Sequence, residues 1–170
     1  MKKWLMISIV FVLLATGCSN NSADMSAYKG IPKTNQFRTV DYESVTKALT
    51  NDENGVYVVA HPGSYASLNI IPTLNDVLKD LKLEANYIDM SNETAFTTDV
   101  NRRITEFLKH EDIPDEAMSF RPFIIFVNDE SHKIFLPEDT AIDFNQQEIT
   151  VDERSLLRAD IEQAVFGSLK

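Results

Sequence analysis

Short apolar runs alternate with amphipathic stretches along this chain, a pattern that predicts interleaved strands and helices. Residues 56–60 and 123–127 are continuous apolar runs, typical of strands buried on both faces. Residues 86–90 predict another strand. Turn residues at 128–131 separate the run 123–127 from 133–136, which predicts a β-hairpin.

Four stretches carry apolar residues at helical spacing. Asp41 can cap a short first helix and Asp152 can cap the last one. The middle two are expected over 67–83 and 97–110, with Pro72 as a kink in the first of these. The predicted inward-facing residues of the four helices are Val45 and Leu49; Leu68, Ile71, Leu74, Leu78 and Leu81; Val100, Ile104, Phe107 and Leu108; Leu156, Ile161, Val165 and Leu169.

The predicted order of elements is α-β-α-β-α-β-β-α. Strands separated by helices imply crossover connections and a partly parallel sheet, and the hairpin makes that sheet mixed. We therefore expect one α/β domain over residues 37–170, with a four-stranded mixed sheet flanked by helices. A chain of 170 residues is long enough to bury a real core.

The first residues have the composition of a secretory signal. Lys2 and Lys3 precede fourteen uncharged residues, 4–17, a run shorter than the roughly 20 that a spanning helix needs. We therefore expect a signal peptide over 1–17. The small, polar stretch 18–36 then predicts a flexible tether without an apolar period.

Cys18, the only cysteine, follows the signal directly. The run 14–18 (LATGC) resembles the lipobox of bacterial lipoproteins, although Ala15 occupies a position where that family prefers leucine. The resemblance implies a diacylated (palmitate-bearing) Cys18 and a protein held on the extracytoplasmic face of a bacterial cell membrane. The alternative is an uncleaved signal anchor with an incidental cysteine.

The domain resembles the thioredoxin-like fold, and is most similar to small Gram-positive thioredoxin-like proteins, including bacteriocin transport accessory proteins. The resemblance covers about 37–170. It places Ser64, Tyr65, Ala66 and Ser67 at the positions of the redox CxxC, and Arg121 and Pro122 at the residue and cis-proline that open the hairpin. Val58 falls where thioredoxins keep a buried acid.

The resemblance implies a redox-inactive domain, because thiol–disulfide exchange needs a thiolate and a second thiol to resolve it. We expect no such enzymatic activity and no cofactor. A degenerate enzyme remains an alternative, with Ser64 as nucleophile, His61 as base and Asp89 as the group that orients it. No nucleophile-elbow sequence supports that arrangement.

Ser64, Tyr65, Ala66, Ser67, Arg121 and Pro122 form the candidate binding groove. Tyr65 is an aromatic residue at the predicted tip of the loop. It either contributes to a peptide-binding edge or packs over the end of the second helix. Arg121 could meet a carboxylate of a binding partner or pair with an internal acid, and the second is the default.

Charge narrows the choice of partners. The formal charge is −10, and removal of Lys2 and Lys3 with the signal makes it −12. This argues against a nucleic-acid partner and favours a cationic protein or peptide outside the cytoplasm. An accessory or immunity role against cationic bacteriocins is a special case of that function.

We expect no metal site. His61, His110 and His132 lack metal-ligand spacing, and the acidic stretches 112–116 and 137–139 lack EF-hand spacing.

Overall fold

The computed structural model describes residues 22–51, 53–91, 106, 122–128 and 132–168. Cys18, Arg121 and, apart from Glu106, the predicted helix 97–110 lie outside these residues. In the part that is described, no helix is both long enough and apolar enough to cross a membrane.

The described chain is α/β, with five strands and three helices. The strands are β1 (Phe37–Thr39), β2 (Gly55–Ala60), β3 (Ala85–Asp89), β4 (Phe123–Val127) and β5 (His132–Phe135). The helices are α1 (Tyr42–Thr50), α2 (Tyr65–Leu81) and α3 (Val151–Ser168), and a single 3-10 turn covers Pro137–Asp139.

The five strands form one mixed sheet in the order β1-β3-β2-β4-β5. β1, β3 and β2 run parallel, whereas β4 and β5 are antiparallel to their neighbours. The predicted parallel pairing and hairpin are therefore confirmed, but the predicted count of four strands is wrong. β1 is the additional strand, and its three residues are too few to produce a recognisable alternation.

The sheet is buried on both faces, which explains the unbroken apolar run in β2. Val56, Val58 and Ala60 face the larger core, which includes apolar residues of α2 and α3. Tyr57 and Val59 face a second, smaller core. Successive side chains of a strand point to opposite faces, so a two-sided core demands apolar residues at every position.

Two side-chain caps start the outer helices. Asp41 caps α1 as predicted, since its Oδ1 accepts a 2.8 Å hydrogen bond from the Ser44 amide. In α3 the prediction was wrong, because the cap is Thr150 and not Asp152. The Thr150 hydroxyl accepts from the Glu153 amide at 3.2 Å, and the Glu153 carboxylate accepts from the Thr150 amide at 2.8 Å. This reciprocal pair is a capping box.

The inward face of α3 differs from the predicted one at its first member. Leu156 is 57% exposed, and its neighbour Leu157 is fully buried. Ile161 and Val165 are buried as predicted. Leu157 is four residues before Ile161, the spacing that keeps two side chains on one helix face, whereas Leu156 is five residues before it.

α2 is the central helix of the larger core. Ile71, Leu74 and Leu78 are buried as predicted, whereas Leu68 and Leu81 are only partly buried against that core. The helix continues through Pro72 and ends at Leu81, and the next residue, Lys82, forms the C-cap with a left-handed backbone (φ 57°). It begins at Tyr65, two residues earlier than predicted.

Residues 22–36 belong to the folded domain, so the predicted tether is wrong over this range. Ala23, Met25 and Tyr28 are all buried in the larger core. The segment pairs with β1 through an isolated antiparallel bridge between Ser22 and Arg38. The three buried residues have no helical or strand period, and for that reason the sequence pattern does not reveal them.

Tyr28 also makes a polar contact inside that core. Its hydroxyl lies 2.9 Å from the hydroxyl of Tyr87 in β3, and the two rings meet edge to face. Burial raises the pKa of both phenols above the ordinary value of 10.0, because the interior disfavours a phenolate. The hydroxyls satisfy each other where water has little access.

Candidate functional site

The loop 61–64 follows β2 and leads directly into α2. The His61 carbonyl accepts from the Ser64 amide at 3.0 Å, and His61 Nδ1 accepts from the Gly63 amide at 2.9 Å. A Cβ on Gly63 would lie 2.8 Å from Cε1 of His61, so a larger residue here would displace the His61 ring. The loop is a tight turn.

The four residues at the predicted CxxC positions have different environments. Ser64 is the N-cap of α2, with its hydroxyl 3.5 Å from the Ser67 amide. Ser67 and Ala66 are buried, and the Ser67 hydroxyl accepts from the His61 amide at 3.3 Å. Tyr65 is 47% exposed. Both serines thus have structural hydrogen bonds, and Tyr65 is the residue of this set that is most accessible to a partner.

The geometry does not favour the Ser64–His61–Asp89 arrangement. Because His61 Nδ1 accepts a hydrogen bond from the Gly63 amide, the neutral ring carries its proton on Nε2. That nitrogen is then a donor and cannot take a proton from Ser64. Asp89 Oδ1 accepts instead from the amide and hydroxyl of Ser91, at 2.8 and 2.6 Å.

Pro122 lies at the same end of the sheet as the loop 61–64. Val59 in β2 pairs with Phe123 in β4, and the antiparallel register therefore places the buried Pro122 opposite Ala60. No described residue has a cis peptide bond. The bond between residues 121 and 122 involves a position outside the described part of the chain, so the predicted cis-proline and the role of Arg121 stay predictions.

A groove of about 470 Å³ opens beside the start of α2. One wall is formed by Ser64, Tyr65 and Ala66, and the other by residues of the segment that connects β5 to α3. The residues of this second wall are Pro137, Glu138, Thr140, Ile142, Asp143, Phe144 and Asn145. The predicted groove included Arg121 and Pro122 and none of the residues of this second wall.

Apolar surface lies inside the groove and acidic groups lie in its second wall. Ile142 is buried in the larger core, and Phe144 packs partly buried against the same core. Among the described residues that line the groove, the formally charged ones are Glu138 and Asp143. Asp143 Oδ1 accepts from the Asn145 amide at 2.9 Å, which shapes the turn that presents Phe144.

Asn69 of α2 fixes the end of the second wall. Its side-chain amide donates to the carbonyls of Tyr65 (2.8 Å) and Gln147 (3.2 Å), and its Oδ1 accepts from the Ile149 amide at 3.2 Å. The Asn69 side chain thereby joins two segments about 80 residues apart. A buried asparagine on an apolar helix face is the one sequence signal that could have indicated this connection.

No group of three or more histidine, cysteine, aspartate or glutamate residues could hold a metal ion within the described ranges.

No family model matches the sequence, and no curated protein shows significant similarity to it. The groove beside Tyr65 is therefore interpreted from its own geometry.

Proposed function

We propose that this chain is a membrane-anchored, extracytoplasmic lipoprotein whose thioredoxin-like domain has no redox activity and binds a protein or peptide. The groove beside Tyr65 is the observation that carries the binding role. A half-exposed aromatic ring next to a concave, partly apolar surface is typical of recognition sites, because such rings bury much apolar area on binding.

The order of the described elements supports a thioredoxin-like fold. The buried strand β2 is followed by the loop 61–64 and by α2, which contains Pro72. The parallel strand β3, the hairpin β4–β5 and the closing helix α3 come next. The resemblance implies these elements in this order, together with a helix between β3 and the hairpin, expected over 97–110, which lies outside the described residues apart from Glu106. Pro122 directly precedes the hairpin.

The absence of redox activity follows from the residue types at the site. Ser64 and Ser67 stand where the resemblance implies cysteines, and a serine hydroxyl neither ionises usefully at neutral pH nor forms a labile bond to sulfur. Val58, at the position of the family's buried acid, is fully enclosed by the apolar core. Cys18 is the only thiol in the sequence and belongs to the lipobox.

The anchor rests on Cys18. Two acyl chains on one cysteine give stable attachment, whereas a single myristoyl chain gives only marginal attachment. The charge of −12 would repel an anionic bilayer surface, so the lipid and not the protein surface would hold the domain there.

Replacing Cys18 with serine is expected to abolish the incorporation of palmitate into the protein. The substitution removes the thiol that carries the acyl chains and leaves the neighbouring residues unchanged. Cells would be grown with a clickable palmitate analogue, and labelling of the protein would be compared between the wild type and the Cys18→Ser variant. A wild type that carries no label would instead support the signal-anchor alternative.

The binding role predicts a specific crosslink from the groove. A photocrosslinking amino acid would replace Tyr65 in intact cells, and a matched control would replace Gln163, which is exposed on the outer face of α3. We expect a discrete adduct from position 65 and none from position 163. No adduct from position 65, or the same adduct from both positions, would contradict a binding groove at this site.

A further inference from the structure

We propose that the occupant of the groove is a cationic peptide segment that places an apolar side chain between Tyr65 and Phe144. This inference rests on the proposed binding function and specifies its ligand. A volume of about 470 Å³ falls in the range, about 300–1,000 Å³, that encloses a ligand of drug-like size. The groove therefore suits a short segment of chain and not the surface of a whole domain.

The groove lining has one sign of charge. Glu138 and Asp143 contribute two carboxylates, and none of the other described residues that line the groove is a lysine, an arginine or a histidine. Both acids are exposed, so a ligand can approach their carboxylates from solvent. A lysine or arginine from a ligand would bring a positive charge to this wall.

The surrounding chain extends this negative field. Between Ile134 and Glu153 the sequence contains six acids and no lysine or arginine, and all twenty residues are described. One of the six, Glu148, forms an ion pair with Lys29 at 2.8 Å, which leaves five to contribute. The hydrogen bonds from the Thr150 amide and hydroxyl lower the pKa of Glu153, and the nearby carboxylate of Asp143 opposes this lowering. The wall and the cap of α3 thus form one acidic surface.

The N-terminus of α2 brings a partial charge of the opposite sign, a positive one, to the groove. A helix N-terminus carries the equivalent of about +0.5 elementary charge, which would favour an anionic group beside Tyr65. The facing wall carries two carboxylates, whose formal charge is larger and of the opposite sign. Phe144, which is only partly buried, supplies apolar contact surface on that wall for an uncharged side chain of the ligand.

Two blocked heptapeptides would test the sign of the charge. Both carry the same leucine and phenylalanine, one with three lysines and the other with three glutamates. Binding to the full-length protein in non-ionic detergent would be measured by fluorescence anisotropy at low and at physiological salt. We expect the lysine peptide to bind at least about tenfold more tightly at low salt, and less tightly as salt is added, because exposed charges are screened within about 8 Å at 0.15 M.

Matched double variants would locate the charge. Glu138→Gln with Asp143→Asn removes two charges from the groove, while the side-chain carbonyl introduced at position 143 can still accept the hydrogen bond from the Asn145 amide. Glu43→Gln with Asp76→Asn removes two exposed charges from α1 and from a distant turn of α2. We expect the groove variant to bind the lysine peptide about three- to tenfold more weakly and the control variant to bind it as the wild type does.

The outcomes separate this inference from the function on which it rests. Equal binding of both peptides, tighter binding of the glutamate peptide, no detectable binding of the lysine peptide, or an equal loss in both double variants would each overturn the cationic ligand. The first two outcomes, with Tyr65→Ala weakening binding and the distant Gln163→Ala not, would leave the groove as a binding site. Failure of the binding function itself would appear separately, as the missing crosslink from position 65 in cells.

Discussion

Replacing Tyr28 with alanine is expected to lower the free energy of unfolding by about 3–5 kcal/mol, the usual cost of removing a buried aromatic side chain. Tyr28 is only 2% exposed and packs in the larger core against Tyr87. Its loss would leave a cavity and deprive the Tyr87 hydroxyl of its partner. The effect is large because residues 22–36 are part of the domain.

Urea unfolding followed by far-ultraviolet circular dichroism measures this change. Tryptophan fluorescence is unsuitable, because the only tryptophan is Trp4 in the predicted signal peptide. The exposed Tyr65→Ala is the matched control and should change stability by less than about 0.5 kcal/mol. A Tyr28→Ala variant as stable as this control would mean that the segment 22–36 does not pack in the core and is a tether after all.

A double-mutant cycle isolates the hydroxyl pair. Tyr28→Phe should cost about 1–3 kcal/mol, because it leaves the buried Tyr87 hydroxyl unsatisfied. Adding Tyr87→Phe removes the second polar group, so the double variant should be no less stable than either single one. Simple additivity of the two single losses would contradict a hydrogen bond between the two hydroxyls.

The second large effect is expected for Asn69→Leu. The substitution keeps a side chain of similar size but removes the hydrogen bonds to Gln147 and Ile149. A buried donor or acceptor left without a partner costs about 1–3 kcal/mol, and a total loss near 2–4 kcal/mol is therefore expected. Because these bonds hold the end of the second groove wall, peptide binding should also weaken.

Two measurements check the Asn69 prediction. Urea unfolding gives the stability, and native-state hydrogen exchange at the Ile149 amide reports whether that amide has lost its acceptor. Gln163→Leu makes a similar amide-to-leucine change on the exposed face of α3, and it should alter stability by less than about 0.5 kcal/mol. Unchanged protection of the Ile149 amide in Asn69→Leu would show that Asn69 does not hold this segment.

The sequence pattern predicts the middle of the sheet better than its edge. β2 and β4 are central strands, and burial on both faces imposes an apolar run that is easy to recognise. β1 is an edge strand of three residues, with Phe37 buried and the next two residues exposed. Such a strand depends on its pairing with β3, a contact that no local pattern records.

Two errors in helix α3 have a simple geometric origin. Leu156 and Leu157 are adjacent, so both suit an apolar face until the phase of the whole helix is considered. Each residue turns the helix by 100°. Ile161 therefore lies about 40° around the helix from Leu157 but about 140° from Leu156. At the N-terminus, the Thr150-x-x-Glu153 pattern of a capping box outweighs the single cap expected from Asp152.

Only one side of the candidate site, at the start of α2, could be predicted from a local sequence pattern. Tyr65 follows a loop of turn-forming residues and lies two residues before the helix predicted over 67–83, so its place near the start of α2 can be derived from the sequence. The wall around Phe144 depends on the Asn69–Ile149 hydrogen bond, which joins residues 80 positions apart. The apolar face of α2 marks Asn69 as a residue that needs buried hydrogen-bond partners, but a single sequence does not indicate which residues those partners are.

The bridge between Ser22 and Arg38 limits how far this domain could stand from a membrane. Cys18 precedes Ser22 by four residues, and an extended chain spans at most about 3.3–3.6 Å per residue, a reach of about 14 Å. That distance is roughly half the thickness of the bilayer's hydrocarbon core. With lipid on Cys18, the domain would lie almost against the headgroups, and the ligands that it could meet most often would be those embedded in the bilayer or adsorbed to it.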